Sequence, residues 1–241
     1  MKKIALITGA SGGIGSAVAR KFAVNGYGVV LVYNHNLQAI EQLICDFPDQ
    51  TDYLAVSCDL TKENSVRELI EAVHKRFGIV SVLVNCAGVA LPQKLFSDTS
   101  DEEFQKIFNI NVLGTMRLTR LLIDDLRERH GSVVNISSMW GVTGGSCEVI
   151  YSASKAALIG FSKALAKELG ASDVTVNTVA PGLIPTEMNA HLSQNDLNAF
   201  CEETPLNRLG TPEDIAEAVY YLANARFVTG QVICCDGGYT M

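Results

Sequence analysis

Tyr151 and Lys155 stand four residues apart in "YSASKAALIGFSKALAKELG", a stretch with helical apolar spacing. Residues i and i+4 share one helix face, so a phenol and an ammonium are neighbours there. An ordinary tyrosine, with a pKa of about 10, is a poor acid–base group at neutral pH. A nearby ammonium favours the phenolate and improves proton exchange with a carbonyl oxygen. Ser138, thirteen residues earlier, closes the run "SVVNISS". Its hydroxyl suits an oxygen on which charge changes. Alone, a Tyr–Lys pair is more often a surface pair, and a serine at a strand end is more often structural. Their weight comes from a third feature, "TGASGGIG" at residues 8–15, directly after the apolar run "KKIALI". Glycine costs stability inside regular structure, so such a cluster needs a reason. A strand, a glycine-rich turn and a helix together form a place where a pyrophosphate meets helix N-terminal amides. The spacing is T-G-x-x-x-G-x-G, from Thr8, Gly9, Gly13 and Gly15.

These residues must be held by a regular scaffold, and the chain alternates accordingly. Strand-like runs occur at "KIALIT", "GVVLVY", "YLAVSC", "SVLVNCAG", "SVVNISS", "VTVNTVA" and "QVICC". They are near-continuous apolar runs, which suits a parallel sheet buried on both faces. Between most of them lie helical patterns. "IGSAVARKFAVNG" closes on Gly26, a suitable C′ glycine. "TKENSVRELIEAVHKRFG" opens on a threonine cap with acids and ends on basic residues and Gly78. The expectation is an α/β, Rossmann-like doubly wound fold with helices on both faces of its sheet. One domain over residues 1–241 is expected, with no repeat, low-complexity segment or linker.

Composition narrows the function. The 241 residues carry a formal net charge of -7, which argues against general binding to nucleic acid or an anionic membrane. "MKK" before "IALI" is followed by too short an apolar run for a signal peptide, and no stretch is long enough to span a membrane. Seven cysteines without C-x-x-C spacing read as reduced thiols in the cytoplasm. The histidines at 35, 74, 130 and 191 form no metal pattern and are expected at the surface. No G-x-S-x-G elbow exists, which excludes the usual serine-hydrolase arrangement.

Two further signatures complete a family pattern: "NCAG" at Asn85 to Gly88, and "NINVLG" with Asn111 before Gly114. In this order and spacing the motifs resemble the short-chain dehydrogenase/reductases over essentially the whole chain, through "APGLIPT" and the terminal "DGG". The closest branch is the 3-oxoacyl-[acyl-carrier-protein] reductases of fatty acid biosynthesis. The resemblance implies a seven-stranded sheet, a homotetramer and an NAD(P)(H)-dependent carbonyl/alcohol oxidoreductase. It assigns Asn111, Ser138, Tyr151 and Lys155 to catalysis, with Asn111 supporting a water chain to Lys155. Cofactor contacts fall on Thr8, Gly9, Ser11, Gly13, Ile14, Gly15, Asn34, Asp59, Leu60, Asn85, Ala87, Gly88, Tyr151, Lys155, Pro181, Gly182, Ile184 and Thr186. Residues 1–135 would mainly bind dinucleotide. Residues 136–241 would hold the catalytic helix, a substrate lid and the last strand. Cys86 replaces a frequent Asn and is expected to be structural.

The second strand ends in "VYNHN" without the acid that commonly binds the ribose hydroxyls of NAD. NADP(H) is therefore expected over NAD(H), although the frequent arginine of the glycine loop is Gly12 here. Asp59 matches a residue at the adenine edge, and also reads as a helix N-terminal acid. "SSMWGVTGGSCEVIYSASK" places Trp140 and Glu148 with Ser138 and Tyr151 as substrate residues. Its Ser-Cys-Glu is similar to a segment of reductases acting on elongation factor P that carries a 5-aminopentanone. Glu148 could pair with the amine of such a ketone, and Trp140 could cover its aliphatic chain; a glutamate in a solvated lip is the plainer alternative. Acyl carrier protein is the other protein partner implied, and it favours basic residues beside the cleft. Arg129 matches one such position, but the other reads Ser172-Asp173. The segment from Pro181 to about Glu203 is expected to be a short helical lid over a small-molecule or carrier-linked ketone. A non-catalytic dinucleotide sensor is the reading of another class, and would leave four catalytic positions filled without use.

Overall fold

The computed structural model describes residues 2–241. Its seven strands are β1 (Ile4–Thr8), β2 (Gly28–Tyr33), β3 (Tyr53–Ser57), β4 (Val82–Asn85), β5 (Ser132–Ile136), β6 (Thr175–Pro181) and β7 (Val232–Cys235). All pair in parallel, in the order β3-β2-β1-β4-β5-β6-β7. The order reverses between β1 and β4. A crevice for a ligand opens at such a switch point, beyond the carboxyl ends of the strands. The glycine loop leaves β1 and "NCAG" leaves β4, so both line that crevice.

The helices are α1 (Gly13–Val24), α2 (Leu37–Cys45), α3 (Glu63–Phe77), α4 (Asp101–Phe108), α5 (Thr115–Leu121), α6 (Ile123–Glu128), α7 (Met139–Thr143), α8 (Val149–Leu169), α9 (Gln194–Glu203) and α10 (Pro212–Asn224). They cover both faces. On one side Phe22 of α1 and Ile215 and Leu222 of α10 pack with Ile7 and Leu31 of the sheet. On the other, Leu69 of α3, Leu118 of α5 and Leu169 of α8 pack with Leu6 and Leu83. Every residue of β1, β4, β5 and β6 is buried. The edge strands β3 and β7 are not buried throughout, which corrects the expectation of uniformly buried strands. They lack a neighbour on one side and carry Tyr53 and Ile233 at the surface.

Local signals held at most helix ends. Gly26 and Gly78 take left-handed φ values of 81° and 77° after α1 and α3, where L side chains are strained. The expected threonine cap of α3 did not form. Lys62 is the N-cap, and Thr61 instead donates its N–H and hydroxyl to the Asp59 carboxylate. The Asp59 side chain closes a tighter turn first, and its own N–H donates to Ser65 Oγ. The four histidines lie at the surface as expected. No helix among the described residues is long and apolar enough to cross a membrane.

Candidate active site

The glycine loop is built for close approach. Gly9 has φ of 66°, and a Cβ there would lie 2.9 Å from the Ala87 Cα. A Cβ on Gly15 would lie 2.1 Å from the Gly9 carbonyl oxygen. Gly13 faces the lid segment, where a Cβ would meet Thr186 Cγ2 at 2.6 Å. The loop therefore closes on itself, on "NCAG" and on Thr186 together. Gly12 caps α1 without a side-chain acceptor, whereas Asn36, Ser100, Ser193 and Thr211 cap their helices with side-chain bonds. The α1 terminus thus fits an external anion such as a pyrophosphate. Ser11 lies at the turn, and Ile14 packs against the core behind it.

Several expected cofactor residues have their side chains engaged elsewhere. Thr8 Oγ1 accepts from the N–H groups of Cys86 and Ala87, both at 3.0 Å, which ties the β4 loop to β1. Asn85 Nδ2 donates to Thr119 Oγ1 and Asn135 Oδ1, in a buried polar row that continues to Ser162. Leu60 is buried, and its carbonyl accepts from Arg117. Asp59 is held by Thr61 and Lys62, which favours its helix N-terminal role. The carboxyl consequently lies below the usual range, chiefly through the Thr61 hydroxyl. At the end of β2, Asn36 caps α2, leaving Asn34 and His35 exposed. Gly182 follows Pro181 and lies so near Asp236 that a Cβ would be 2.8 Å from its Cα. Ile184 is buried, its carbonyl bound by Asn189.

The four catalytic candidates converge at the ends of β4 and β5. Ser138 is the N-cap of α7 and accepts from the Trp140 N–H at 3.2 Å. Tyr151 lies in the first turn of α8, its phenol close enough to the Ser138 side chain to feel it electrostatically. Lys155 is 4% exposed, with Nζ 5.7 Å from the Tyr151 ring centroid. Its ammonium donates to the Ile136 carbonyl at 3.0 Å, while the Lys155 carbonyl accepts from Ser137 Oγ at 2.8 Å. These two bonds lock α8 to the end of β5. A Cβ on Gly88 would sit 3.1 Å from Lys155 Nζ and 3.4 Å from Asn111 Oδ1, so both polar groups flank that glycine.

Asn111 lies in a π-helical turn, Asn109–Gly114, between α4 and α5. Such turns mark places where a helix widens to re-aim a side chain. The Asn111 amide accepts from Val89 N–H at 2.8 Å and donates to the Val89 carbonyl at 2.9 Å. It also donates to Ser154 Oγ at 3.1 Å. Asn111 therefore fixes the loop after β4 against α8.

Burial reverses the expected tyrosine shift. The Tyr151 phenol is pushed up to about 12, mainly by burial, while the nearby Ser138 side chain acts the other way. Burial likewise pushes Lys155 down, to about 8. Both shifts favour the neutral forms, because low-dielectric surroundings penalise charge. A protonated Tyr151 is the state a proton donor to a ketone requires.

On the substrate side, Glu148 is half-buried at the N-cap of α8. Its carboxyl is raised by burial, and it accepts a long hydrogen bond, 3.5 Å, from Gln93 Nε2. With Leu91, Pro92, Cys147 and Tyr151 it lines a small cleft. Trp140, expected to cover an aliphatic chain, has ring partners of its own. Its ring packs with Phe200 of α9 and with Tyr239, at centroid distances of 6.3 and 5.8 Å. The segment expected to form a lid contains a short 3₁₀ turn, Glu187–Asn189, and α9. Phe200 and Tyr239 were not singled out from the sequence, since an isolated aromatic carries no spacing signal. Among the described residues no cluster of His, Cys, Asp and Glu could hold a metal.

Comparison with known proteins gives one pattern. The family model described as Enoyl-(Acyl carrier protein) reductase matches residues 9–240. A 3-oxoacyl-[acyl-carrier-protein] reductase from Bos taurus is 38% identical over 239 residues, covering 99% of this chain and 98% of the relative. The solved structure titled "ElxO with NADP Bound" superposes with a TM-score of 0.91 at 34% identity, covering 99% of both chains. The 3-ketoacyl-(acyl-carrier-protein) reductase from Brucella melitensis, complexed with NADH, gives 0.92 at 31% identity, covering 99% of this chain and 98% of that one.

Proposed function

The chain belongs to the short-chain dehydrogenase/reductase family, and from that premise we propose that it reduces a 3-oxoacyl thioester with NADPH. The family membership makes it a nicotinamide-dinucleotide-dependent oxidoreductase acting on carbonyl groups. The observation that carries the mechanism is Tyr151 set in the first turn of α8 beside Ser138, with Lys155 Nζ 5.7 Å from its ring centroid and burial favouring the neutral phenol. When bound in this crevice, a nicotinamide dinucleotide would supply the hydride that the carbonyl carbon receives. Ser138 and Tyr151 hold the ketone oxygen, and the Tyr151 O–H gives it a proton, so C=O becomes CH–OH. Lys155 retains two ammonium protons beyond its bond to Ile136, enough to hold a ribose and to support the phenolate left behind. Asn111 stands across Gly88 from that ammonium, where a water chain would resupply the proton.

The glycine cradle, with Ser11, Asn34, Gly182 and Thr186, would hold the dinucleotide. The preference for NADP(H) rests on a β2 end that offers Asn34 and His35 but no carboxylate. We place the enzyme in the cytoplasm as a homotetramer, without nucleic-acid or membrane partners. The non-catalytic sensor is the weaker reading, because all four catalytic side chains meet in one site.

One observation favours a second substrate. Glu148 is a half-buried carboxylate near Tyr151 for which no ion pair occurs among the described residues. A ketone carrying an ammonium, as in elongation factor P bearing 5-aminopentanone, would supply its partner. The acidic acyl carrier protein is correspondingly less well served, since Asp173 pairs with Arg226 and Lys94 with Glu103. The experiment compares kcat/KM for a 3-oxoacyl thioester, a neutral ketone and an amino-ketone of equal length, in wild type and Glu148→Gln. The second reading requires a loss confined to the amino-ketone, roughly tenfold or more for a desolvated pair. Equal effects on all three leave the thioester reading alone. Failure of every ketone to oxidise NADPH overturns both.

A further inference from the structure

Helix α9, in the segment expected to form the lid, has no buried residue, although its Phe200 ring packs on Trp140. A helix gains its tertiary stability from the apolar face it buries, so α9 depends on few anchors. Phe200 is one, and its ring lies 5.7 Å from that of Tyr239, at 30°. Tyr239 meets Trp140 edge-on, at 5.8 Å and 84°. The Tyr239 hydroxyl also donates to Glu203 Oε2 at 3.0 Å, on the last turn of α9. Trp140 in turn donates its backbone N–H to Ser138 Oγ. A Cβ on Gly145 would lie 2.8 Å from the indole, so the loop before α8 rests on the same ring.

Tyr239 is itself held firmly. The Asp236 carboxylate accepts from the N–H groups of Gly238 and Thr240 and from the Thr240 hydroxyl. Gly237 and Gly238 take φ values of 67° and 91°, which turn the chain back under the lid. Leu206 N–H donates to the Gly237 carbonyl, joining the end of the lid segment to the same turn.

We propose that Tyr239 is a positioning residue for the reductase reaction: it clasps α9 onto Trp140 and so sets the lid against the Ser138 helix. The clasp has two parts, a ring contact on both sides and a hydroxyl bond to Glu203. Aromatic pairs and a charge-assisted hydrogen bond each add to simple burial. Tyr239 touches no reacting atom. Its effect reaches the substrate through lid position, and the kinetic part of the proposal rests on the ketone-reductase reading.

Trp140 is the only tryptophan in the chain, so its fluorescence reports the clasp directly. Tyr239→Ala should red-shift Trp140 emission and raise its quenching by acrylamide at least about twofold, because a ring is removed from its edge. Tyr239→Phe should retain the wild-type spectrum and lose only the Glu203 bond. In steady state with NADPH, Tyr239→Ala should raise the ketone KM by roughly tenfold or more while kcat falls less and NADPH affinity is unchanged, the pattern of lost positioning rather than lost chemistry. Phe200→Ala, on the lid side, should give the same split. The double variant should lose less than the sum of the two single losses, since the Phe200–Tyr239 contact is broken in both while each single variant keeps its other ring on Trp140. If Tyr239→Ala does not fold, Phe200→Ala carries the test. Unchanged Trp140 quenching in a folded variant overturns the clasp. Altered quenching with unchanged ketone KM overturns its role in positioning. The quenching arm needs no substrate, so its outcome is independent of which ketone the enzyme reduces.

Discussion

Tyr151 and Lys155 were legible in the sequence as candidates from residue type and spacing, and Ser138 from the family resemblance, but their electrostatics were not. Spacing places an ammonium beside a phenol; only packing shows that burial is the largest influence on each and favours the neutral form of both. Tyr151→Phe removes the proton while keeping the ring. Reduction should fall by about 10²–10⁴-fold with NADPH affinity nearly intact, the range for lost general-acid catalysis. Near-wild-type turnover with chemistry rate-limiting would remove Tyr151 as the donor. Lys155 makes a second, separate prediction. Its folded pKa of about 8 lies below the unfolded value of 10.5. Below pH 8 both states carry the proton, and the burial penalty on the ammonium is fully present. Between pH 8 and 10.5 the unfolded chain binds more protons, so stability from this group rises with pH until the penalty is gone. Lys155→Met should therefore abolish activity yet stabilise the ligand-free protein at pH 7, by something on the order of 3 kcal/mol at most. The gain should fade by about pH 10.5. Denaturant titrations of both proteins at pH 7 and 10 check it, and a destabilised Lys155→Met at pH 7 contradicts it.

At the scale of elements, the sequence supports the strands, α1, α3 and α8, because apolar period and terminal glycines are local signals. It did not disclose the π-helical turn at Asn109–Gly114, since "NINVLG" has no periodic mark that separates it from an ordinary helix. Nor did it disclose that Thr8 and Asn85 serve as ties between loops, because a hydroxyl's partner 78 residues away is a tertiary fact. The meeting of the glycine loop with the lid is another such fact, and it couples two elements. Gly13→Ala would place a methyl into Thr186 Cγ2, at 2.6 Å if nothing moved. The obstacle is the end of a side chain rather than backbone, so the lid segment shifts instead of the loop breaking. Cofactor affinity should fall about three- to tenfold, as expected for about 1 kcal/mol of overpacking. Thr186→Ser removes the obstructing methyl and should restore part of that loss in the double variant. Additive losses would show that the two elements are not coupled through this contact.

For the whole molecule, the cofactor crevice lies at the switch point of one continuous sheet, with the glycine loop, the β4 loop and the lid closing on it together. Occupancy therefore stabilises the entire fold rather than one loop. A ligand bound only by the native state adds RT ln(1 + [L]/Kd), about 2.7 kcal/mol at a hundred times Kd. For a chain of 241 residues this raises Tm by roughly 5–10 °C. The proposed preference for NADP(H) rests on the β2 end, where Asn34 is exposed and no acid would repel a 2′-phosphate. At equal concentration NADPH should therefore raise Tm more than NADH. Asn34→Asp introduces the repelling carboxylate beside the phosphate and an acceptor for ribose hydroxyls, so it should reverse the order. The change should leave the Tm of the ligand-free protein within about 1–2 °C, because an exposed polar substitution there breaks no buried contact. Equal shifts for the two cofactors in wild type would remove the preference for NADP(H). A preference for NADPH that survives Asn34→Asp would instead place phosphate recognition elsewhere along the crevice.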